Sequence, residues 1–563
     1  MSVEELLAAR LRSAFAQVAG SPVDPAVRRS QHADYQADGA LALARELGRA
    51  PREVAAEVVA RADLDGLAEL EVVGPGFINI TVQTSALHSL LLQVYADSRL
   101  GVPQVASPQA VLVDYSGPNV AKEMHVGHLR STVIGDAIVR LLEFEGHRVT
   151  RVNHLGDWGT PFGMLIEHLL DIGEQEAAHE LSVGDLTGFY QAARRKFDGD
   201  PDFKRRAQLR VVALQSGDET TGRLWRLLVD ESEKYFLSVY STLDVTLGAA
   251  DFLGESAYND ELADVVGELS ALGLLTESDG ALCAFPAGFT GRDGAPMPVI
   301  VRKEDGGYNY SATDLAALRR RCRAYDRAVY VVGTPQKQHF AMVFAVGADA
   351  GWVRPGQVEH VAFGSILGAD GKMLKTRAGD SIKLSTLLDE AVARAAALAP
   401  TEDVAHFVGI GAVKYADLSS DRVKDYVFDW DRALSLTGDS GAYLQYAYAR
   451  IQSLLTKGGS FAPGFSLKSP GFSLESPVER ALALHLLGFP AAVSSAASTL
   501  QPHRLAGYLH GLATAYSVFY EKCPVLRAPT AEIRDGRLGL ADLTGRVLTL
   551  GLSLLGIRTP TPL

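Results

Sequence analysis

Two histidines three residues apart with a glycine between them, His125-Val126-Gly127-His128, stand a few residues past a short apolar run that ends in Asp114-Tyr115-Ser116. Three chemistries use such a pair. On a helix, rings at i and i+3 share a face and could hold zinc, but no Cys, carboxylate or third His completes a ligand set in this stretch, since Glu123 precedes the expected helix. Either ring could also be an ordinary structural hydrogen-bonder near a helix start. The third reading follows from position. A strand ending near Tyr115, a loop with Gly117 and Pro118, and a helix beginning around His125 place backbone N–H groups and the positive helix end at the carboxyl edge of a sheet. Anions bind there. Gly127 lets a nucleotide approach without a side chain in the way, and two imidazoles can donate to a polyphosphate as charge builds in a displacement at phosphorus. Lys122 can add a point charge. Phosphate is the better answer of the three.

The elements that must position these groups read as follows. From Val3 to about Arg61 the pattern is helical, and "LAELEVVGPGFINITV" then alternates apolar and polar residues around a Gly-Pro-Gly turn, so residues 1–106 are expected to form a small α+β domain ending in the linker "VPQVASPQ". From "AVLVDYS" onward, apolar strands alternate with helical segments through "HRVTRVNHLGD", "PVIVRK", "RAVYVVG" and "QVEHVAFGSI". That alternation predicts an α/β, Rossmann-type parallel sheet over 107–385, with a helical insertion at about 165–245. After about Ser385 strand signals nearly vanish, which predicts a helical connector at 386–435 and an all-α bundle at 436–563. In the bundle Leu444, Tyr448, Ile451 and Leu455 form one apolar stripe, and "GGSFAPGFSLKSPGFSLESP" reads as a loop.

Composition sets limits. The 563 residues are 47% hydrophobic and 21% charged, as in a soluble globular protein of several domains. Every long apolar run is interrupted by charge or Gly, and "MSVEELLAARLRSAF" carries early acids where a secretion signal carries bases, so the expectation is a cytoplasmic chain with no membrane partner. Cys283, Cys322 and Cys523 are too few and too scattered for a disulfide framework or a Cys-based zinc site. The net charge of -13 argues against a uniformly basic nucleic-acid coat, so any RNA must be met locally. Basic clusters lie at Arg194–Lys196, Lys204–Arg206 and Arg319–Arg323, where solvated helix faces are the alternative to phosphate contacts.

The motifs resemble a known family. The H-x-G-H after the first buried strand looks like the HIGH motif of class I aminoacyl-tRNA synthetases. "SGPNVAKEMHVGHLRSTVIGD" with "NHLGDWGTPFG" resembles the arginyl-tRNA synthetases specifically. "EVVGPGFINITV" is similar to the end of that family's N-terminal domain, "GAYLQYAYAR" to the start of its anticodon-binding domain, and "LGIRTPTPL" to its chain end, so the likeness runs over the whole chain. The resemblance implies two steps: arginine carboxylate attacks the α-phosphate of ATP and releases pyrophosphate, and the arginyl group then passes to the terminal adenosine of a tRNA. The implied partners are L-arginine, ATP with Mg2+, and tRNA; a structural zinc is not expected, and the chain is expected to be a monomer.

The site residues carry over by motif. His125 and His128 are implied to stabilise the triphosphate, with Pro118, Asn119, Gly127, Gly333 and His339 around the nucleotide. "GADGKMLKTRAGD" resembles the mobile KMSKS loop but departs from it: Lys372 and Lys375 are kept and the first serine is lost. The family has a degenerate loop, with a lysine ahead of the HIGH motif thought to compensate, which here leaves the division of labour between Lys122 and Lys375 open. A guanidinium offers five donors and accepts nothing, so its pocket needs carboxylates. Asp114, Asn119, and Tyr310 with Asp314 are candidates at strand ends; the Tyr310-x-x-x-Asp314 pattern and Gln336 also match the family's arginine-binding elements, with ordinary loop polars as the alternative for Gln336 and His339. Ser311-x-x-Asp314 also reads as a capping box, which would give Asp314 a purely local role. Asn153, His154, Asp157 and Trp158 belong to the family-specific stretch without an assigned role. Tyr443, Tyr446, Arg450, Tyr516 and Tyr520 have the side-chain types that stack RNA bases, with core packing as the alternative. A cysteinyl-type HIGH ligase and a non-catalytic RNA-binding paralogue are the competing readings; the absent Cys/His set speaks against the first, and intact His125, His128 and Lys375 against the second.

Overall fold

The computed structural model describes residues 2–177, 186–304, 306–374, 381–459 and 471–560. The chain divides into two compact units. One comprises Met1–Gln104, Ser435–Leu554 and Arg558–Leu563, the other Val105–Leu434 and Leu555–Ile557.

In the first unit four short strands, β1 (Val27–Arg29), β2 (Tyr35–Ala37), β3 (Ala68–Val73) and β4 (Phe77–Val82), form an antiparallel sheet in the order β1-β2-β4-β3. The Gly-Pro-Gly turn is where it was expected, between β3 and β4. A Cβ on Gly76 would fall 2.7 Å from the Pro51 backbone, so only glycine permits that approach. The helical expectation up to Arg61 fails at "VDPAVRR", because Ala26 turns at φ 52° and Val27 then pairs with Ala37. Long-range pairing overrides the local pattern. Downstream, the Gly441–Lys457 helix buries the predicted stripe of Leu444, Tyr448, Ile451 and Leu455. Pro477–Ser498 is apolar and long enough to pass for a membrane span, contrary to the expectation from charge and Gly. It consists of two helices meeting at Leu487-Gly488, and more than half of it is buried.

The second unit is built on a five-stranded, fully parallel sheet of β5 (Ala110–Asp114), β6 (Arg148–Leu155), β7 (Phe252–Gly254), β11 (Arg327–Tyr330) and β12 (Val358–His360), in the order β12-β11-β5-β6-β7. The order reverses at β5, so the crevice for ligands lies beyond the carboxyl ends of β5 and β11. β5 is buried along nearly its whole length, as an apolar strand covered on both faces must be. One expected strand is placed differently: "PVIVRK" forms β10 (Val299–Arg302), which joins β8 (Leu275–Ser278) and β9 (Ala281–Ala284) in a separate antiparallel sheet. β7 was not foreseen. The helical insertion contains the helices Leu186–Gly199, Pro201–Gln215 and Glu219–Leu243.

Arg130, on the helix Val126–Glu145, pairs with Asp417 of the Glu402–Leu418 helix at 3.2 Å, with side chains 1% and 0% exposed. Arg130 also donates to the Lys424 carbonyl at 2.9 Å. This pair ties the histidine-bearing helix to the connector. Because Asp417→Asn leaves an uncompensated charge in the interior, it is expected to destabilise the second unit by about 3–5 kcal/mol, measured by chemical denaturation.

Candidate functional site

His125 is the N-cap of the helix Val126–Glu145, and the two histidines cap the helix together. The Gly127 N–H donates to His125 Nδ1 at 3.0 Å, and the His125 N–H donates to His128 Nδ1 at 3.1 Å. The rings lie 4.1 Å apart. Each Nδ1 is therefore an acceptor, so in the neutral ring the proton sits on Nε2. Burial, and then the neighbouring His125, push His128 down to about 3; burial and the Lys122 charge lower His125. The pair is thus two neutral rings offering Nε2–H donors at the mouth of a helix. Gly127 has a more local reason than room for a ligand: a Cβ there would meet the His125 ring at 2.6 Å.

The loop before the cap is strained and heavily restrained. Ser116 and Ala121 have positive φ, 76° and 59°. Ser116 N donates to Ser131 Oγ at 2.8 Å, its hydroxyl meets Tyr240 Oη at 2.7 Å, and Ala121 N donates to Ser232 Oγ at 2.9 Å. Asn153 accepts from Gly117 N and donates to Tyr240 Oη. Asn119 pairs with Gly156 across the crevice mouth, where a Cβ would lie 2.3 Å from Asn119 Oδ1, and Pro118 is buried beneath. Lys383 also bridges to His125 along the backbone, and its ammonium reaches Glu123 at 2.7 Å.

A second cluster gathers acids. Asn309, not Ser311, caps the helix Tyr310–Ala324, accepting from Ser311 N and Ala312 N. No acid lies in the first turn, which removes the capping-box reading of Asp314 and puts Tyr310 and Asp314 at i and i+4 on one helix. Asp314 Oδ2 lies 2.6 Å from His339 Nε2, and the His339 and Tyr310 rings are 5.0 Å apart. His339, matched to the nucleotide, therefore sits against the arginine candidates. Glu255, immediately after β7, was missed. It has no cationic partner among the described residues, and burial, then Asp314 and Asp157, push its carboxyl up to about 8. Its signal in the sequence was faint, since a three-residue strand has too few positions for a period.

Asp114 ends β5 with a cation already beside it. Its carboxylate takes a 2.7 Å hydrogen bond from the buried Arg321, whose other amino group lies 3.3 Å from His154 Nδ1. An internal guanidinium already occupies it. The rest of the 319–323 cluster is likewise paired internally, Arg319 and Arg323 with Glu268 and Arg320 with Glu261. Asp157 is bonded to Ser256 N and Oγ, and Trp158 packs edge-on against Trp225. Gly333 bridges to Phe363, and Gln336 is exposed just ahead of the helix Lys337–Asp349. Lys372 is exposed in a hairpin closed by Gly368 N to the Lys372 carbonyl. Lys375 and Gly379 lie outside the described residues. Among the described residues no group of three or more His, Cys, Asp or Glu is arranged to hold a metal.

In the first unit Arg450 lies over Tyr520 at 4.3 Å and Tyr446 at 5.7 Å, both rings 40% exposed. Tyr443 is half-buried and bonded to Ser517 Oγ, and Tyr516 is core.

Residues 90–430 match the family model described as tRNA synthetases class I (R), catalytic domain. Residues 1–82 match the arginyl tRNA synthetase N terminal domain, and 444–563 the DALR anticodon binding domain. The arginine-tRNA ligase of Thermobifida fusca is 51% identical over 99% of both chains. That of Escherichia coli O9:H4 is 46% identical, also over 99% of each. The chain belongs to the arginyl-tRNA synthetases. Solved structures of the family superpose over its whole length: the Plasmodium falciparum enzyme with TM-score 0.84, 28% identity and 99% of that chain covered, and the Thermus thermophilus enzyme with TM-score 0.81, 26% identity and full coverage.

The neutral histidine cap carries a pH signature. Unfolded imidazole titrates near 6.5 and folded His128 near 3, so between these values the unfolded chain binds the extra proton. The stability this gives is fully present above pH 6.5 and is lost as pH falls toward 3. Replacing His128 by Asn, which takes up no proton there, is expected to flatten the fall of the melting temperature between pH 7 and 4.

Proposed function

We propose that the crevice beyond β5 and β11 carries out the arginine-tRNA ligase reaction with the following division of roles. The α-phosphate of ATP lies at the start of the His125-capped helix. As the arginine carboxylate attacks it and pyrophosphate leaves, charge grows on the phosphate oxygens, and the Nε2–H groups of His125 and His128 donate to them without changing protonation. Lys122 and the Lys372–Lys375 segment add positive charge, and ATP enters as its magnesium complex. Asn119, Pro118 and Gly333 line the nucleotide side.

The arginine side chain lies against Asp314 and Glu255, with Tyr310, Gln336 and His339 closing around it. Asp114 acts one step behind: it holds Arg321, which underlies the pocket. The observation that carries this reading is the pairing, at one sheet edge, of neutral donors for phosphate with a half-buried carboxyl group that has no cationic partner among the described residues. A guanidinium supplies that missing cation.

The activated arginyl group passes to the terminal adenosine of tRNA. Arg450 between Tyr446 and Tyr520 is the stacking platform offered to an anticodon base, with Tyr443 beside it. We take the domains as 1–106, 107–385, 386–435 and 436–563, and the enzyme as a cytoplasmic monomer.

Charging of total tRNA in the presence of ATP is expected with arginine alone among the amino acids; charging with another amino acid, or none with arginine, overturns the reading. Asp314→Asn and Glu255→Gln are each expected to raise KM for arginine at least about 30-fold, in line with loss of a charge-assisted hydrogen bond, while KM for ATP changes little. Free Glu255 keeps its proton up to about pH 8, and a bound guanidinium favours the carboxylate. Arginine binding at pH 7 therefore releases a proton and tightens as pH rises toward 8. Calorimetry in buffers of different ionisation heat is expected to detect that proton for the native enzyme and lose it for Glu255→Gln.

A further inference from the structure

Lys122 stands three residues ahead of the first histidine, on a backbone bent through positive φ at Ala121. Among the described residues its ammonium has no carboxylate partner. It lies instead 4.2 Å from the centre of the Tyr190 ring. Tyr190 belongs to the helical insertion, on the helix Leu186–Gly199. The same insertion reaches the loop at two more points, through Ser232, which accepts from Ala121 N, and Tyr240, which meets Ser116 and Asn153.

A four-carbon ammonium side chain with three rotatable donors has much rotamer freedom to lose, and a carboxylate would restrain it only by offsetting its charge. An aromatic face restrains the charge and leaves it intact. Ser232 holds a backbone N–H of the loop, Tyr240 holds its Ser116 hydroxyl, and Tyr190 holds Lys122, which has no carboxylate partner among the described residues.

We propose that Tyr190 is a positioning residue for the adenylation step: its ring holds the Lys122 ammonium, still fully charged, beside the His125/His128 notch, which makes the helical insertion part of the ATP site. This rests on the phosphate role given to Lys122 above. The insertion thereby does more than extend the catalytic unit, because a residue from it sets the direction of a charge used on ATP.

The test is ATP–pyrophosphate exchange by the full-length enzyme with tRNA and saturating arginine. Tyr190→Leu is expected to lower kcat/KM for ATP about two- to thirtyfold, the span of a cation–π contact between exposed and desolvated settings, with KM for arginine unchanged. Tyr190→Phe, which keeps the ring face, is expected to stay within about twofold of native. Pentafluorophenylalanine at 190 has nearly the same shape but an inverted ring quadrupole, and is expected to fall to the level of leucine. That comparison decides the matter even where Tyr190→Leu fails to fold. In a Lys122→Met background the leucine change is expected to have no further effect. Fluorinated and native rings of equal activity, or an undiminished leucine loss in the Lys122→Met background, overturn the proposal for Tyr190. Full activity of Lys122→Met alone overturns the phosphate role of Lys122 and the Tyr190 proposal with it, an outcome told apart because it appears in the single lysine variant.

Discussion

The candidate site is organised around two hydrogen bonds at one helix start. A helix leaves its first N–H groups without partners, and short side chains such as Ser, Thr, Asp or Asn usually satisfy them. Here two imidazoles do so, each through Nδ1. An aspartate would satisfy the same donors and repel phosphate; a serine would satisfy them and leave nothing to offer a ligand. Histidine satisfies the backbone with one nitrogen and presents a proton on the other. The cap that stabilises the helix also fixes the tautomer that the proposed phosphate role requires.

Charge is sorted around this cap. The chain is acidic overall, yet a triphosphate must approach it. The acids that would oppose it are kept elsewhere: Glu123 is paired with Lys383, Asp114 with Arg321, and the free carboxylate Glu255 stands after β7, on the far side of β6 from β5. A guanidinium and a triphosphate need opposite fields. In the proposed reading the sheet edge gives each its own strand ends, with the reactive carboxylate of arginine and the α-phosphate meeting between them. Net charge says little about such a site, because a potential a few ångströms from its sources is set by local groups.

The parallel sheet, the histidine cap and the neighbourhood of Tyr310 and Asp314 were legible in the sequence because each rests on local signals: a buried apolar strand, a glycine between histidines, an i,i+4 pair. What was not legible depends on distant partners. Arg321 sits more than 200 residues from Asp114, and nothing in "RRRCR" distinguishes the arginine that is buried under the site from those that pair on the surface. β7 escaped because its three residues take strand geometry only by pairing with β6, and Glu255 escaped with it. The alternative capping-box reading at Ser311 fails because Asn309, two residues earlier, is the cap. Tyr516 and Tyr520 are alike by type and four apart on one helix, and only packing makes one core and the other surface.

The strained loop between β5 and the cap completes the logic. Two non-glycine residues with positive φ cost of the order of 1–3 kcal/mol each, a cost that persists only where the surroundings over-determine the conformation. Ser131 and Thr132 come from the helix Val126–Glu145, Asn153 from β6, and Ser232 and Tyr240 from the insertion, so three separate elements converge on Ser116, Gly117 and Ala121. A relaxed loop would need fewer partners. It would also let the helix start drift relative to the sheet edge, and a donor displaced by about 1 Å loses much of its value to a developing charge. The polar network, together with the buried Tyr115, Val120 and Met124, therefore converts packing energy spent far from the substrate into the fixed position of two nitrogen atoms.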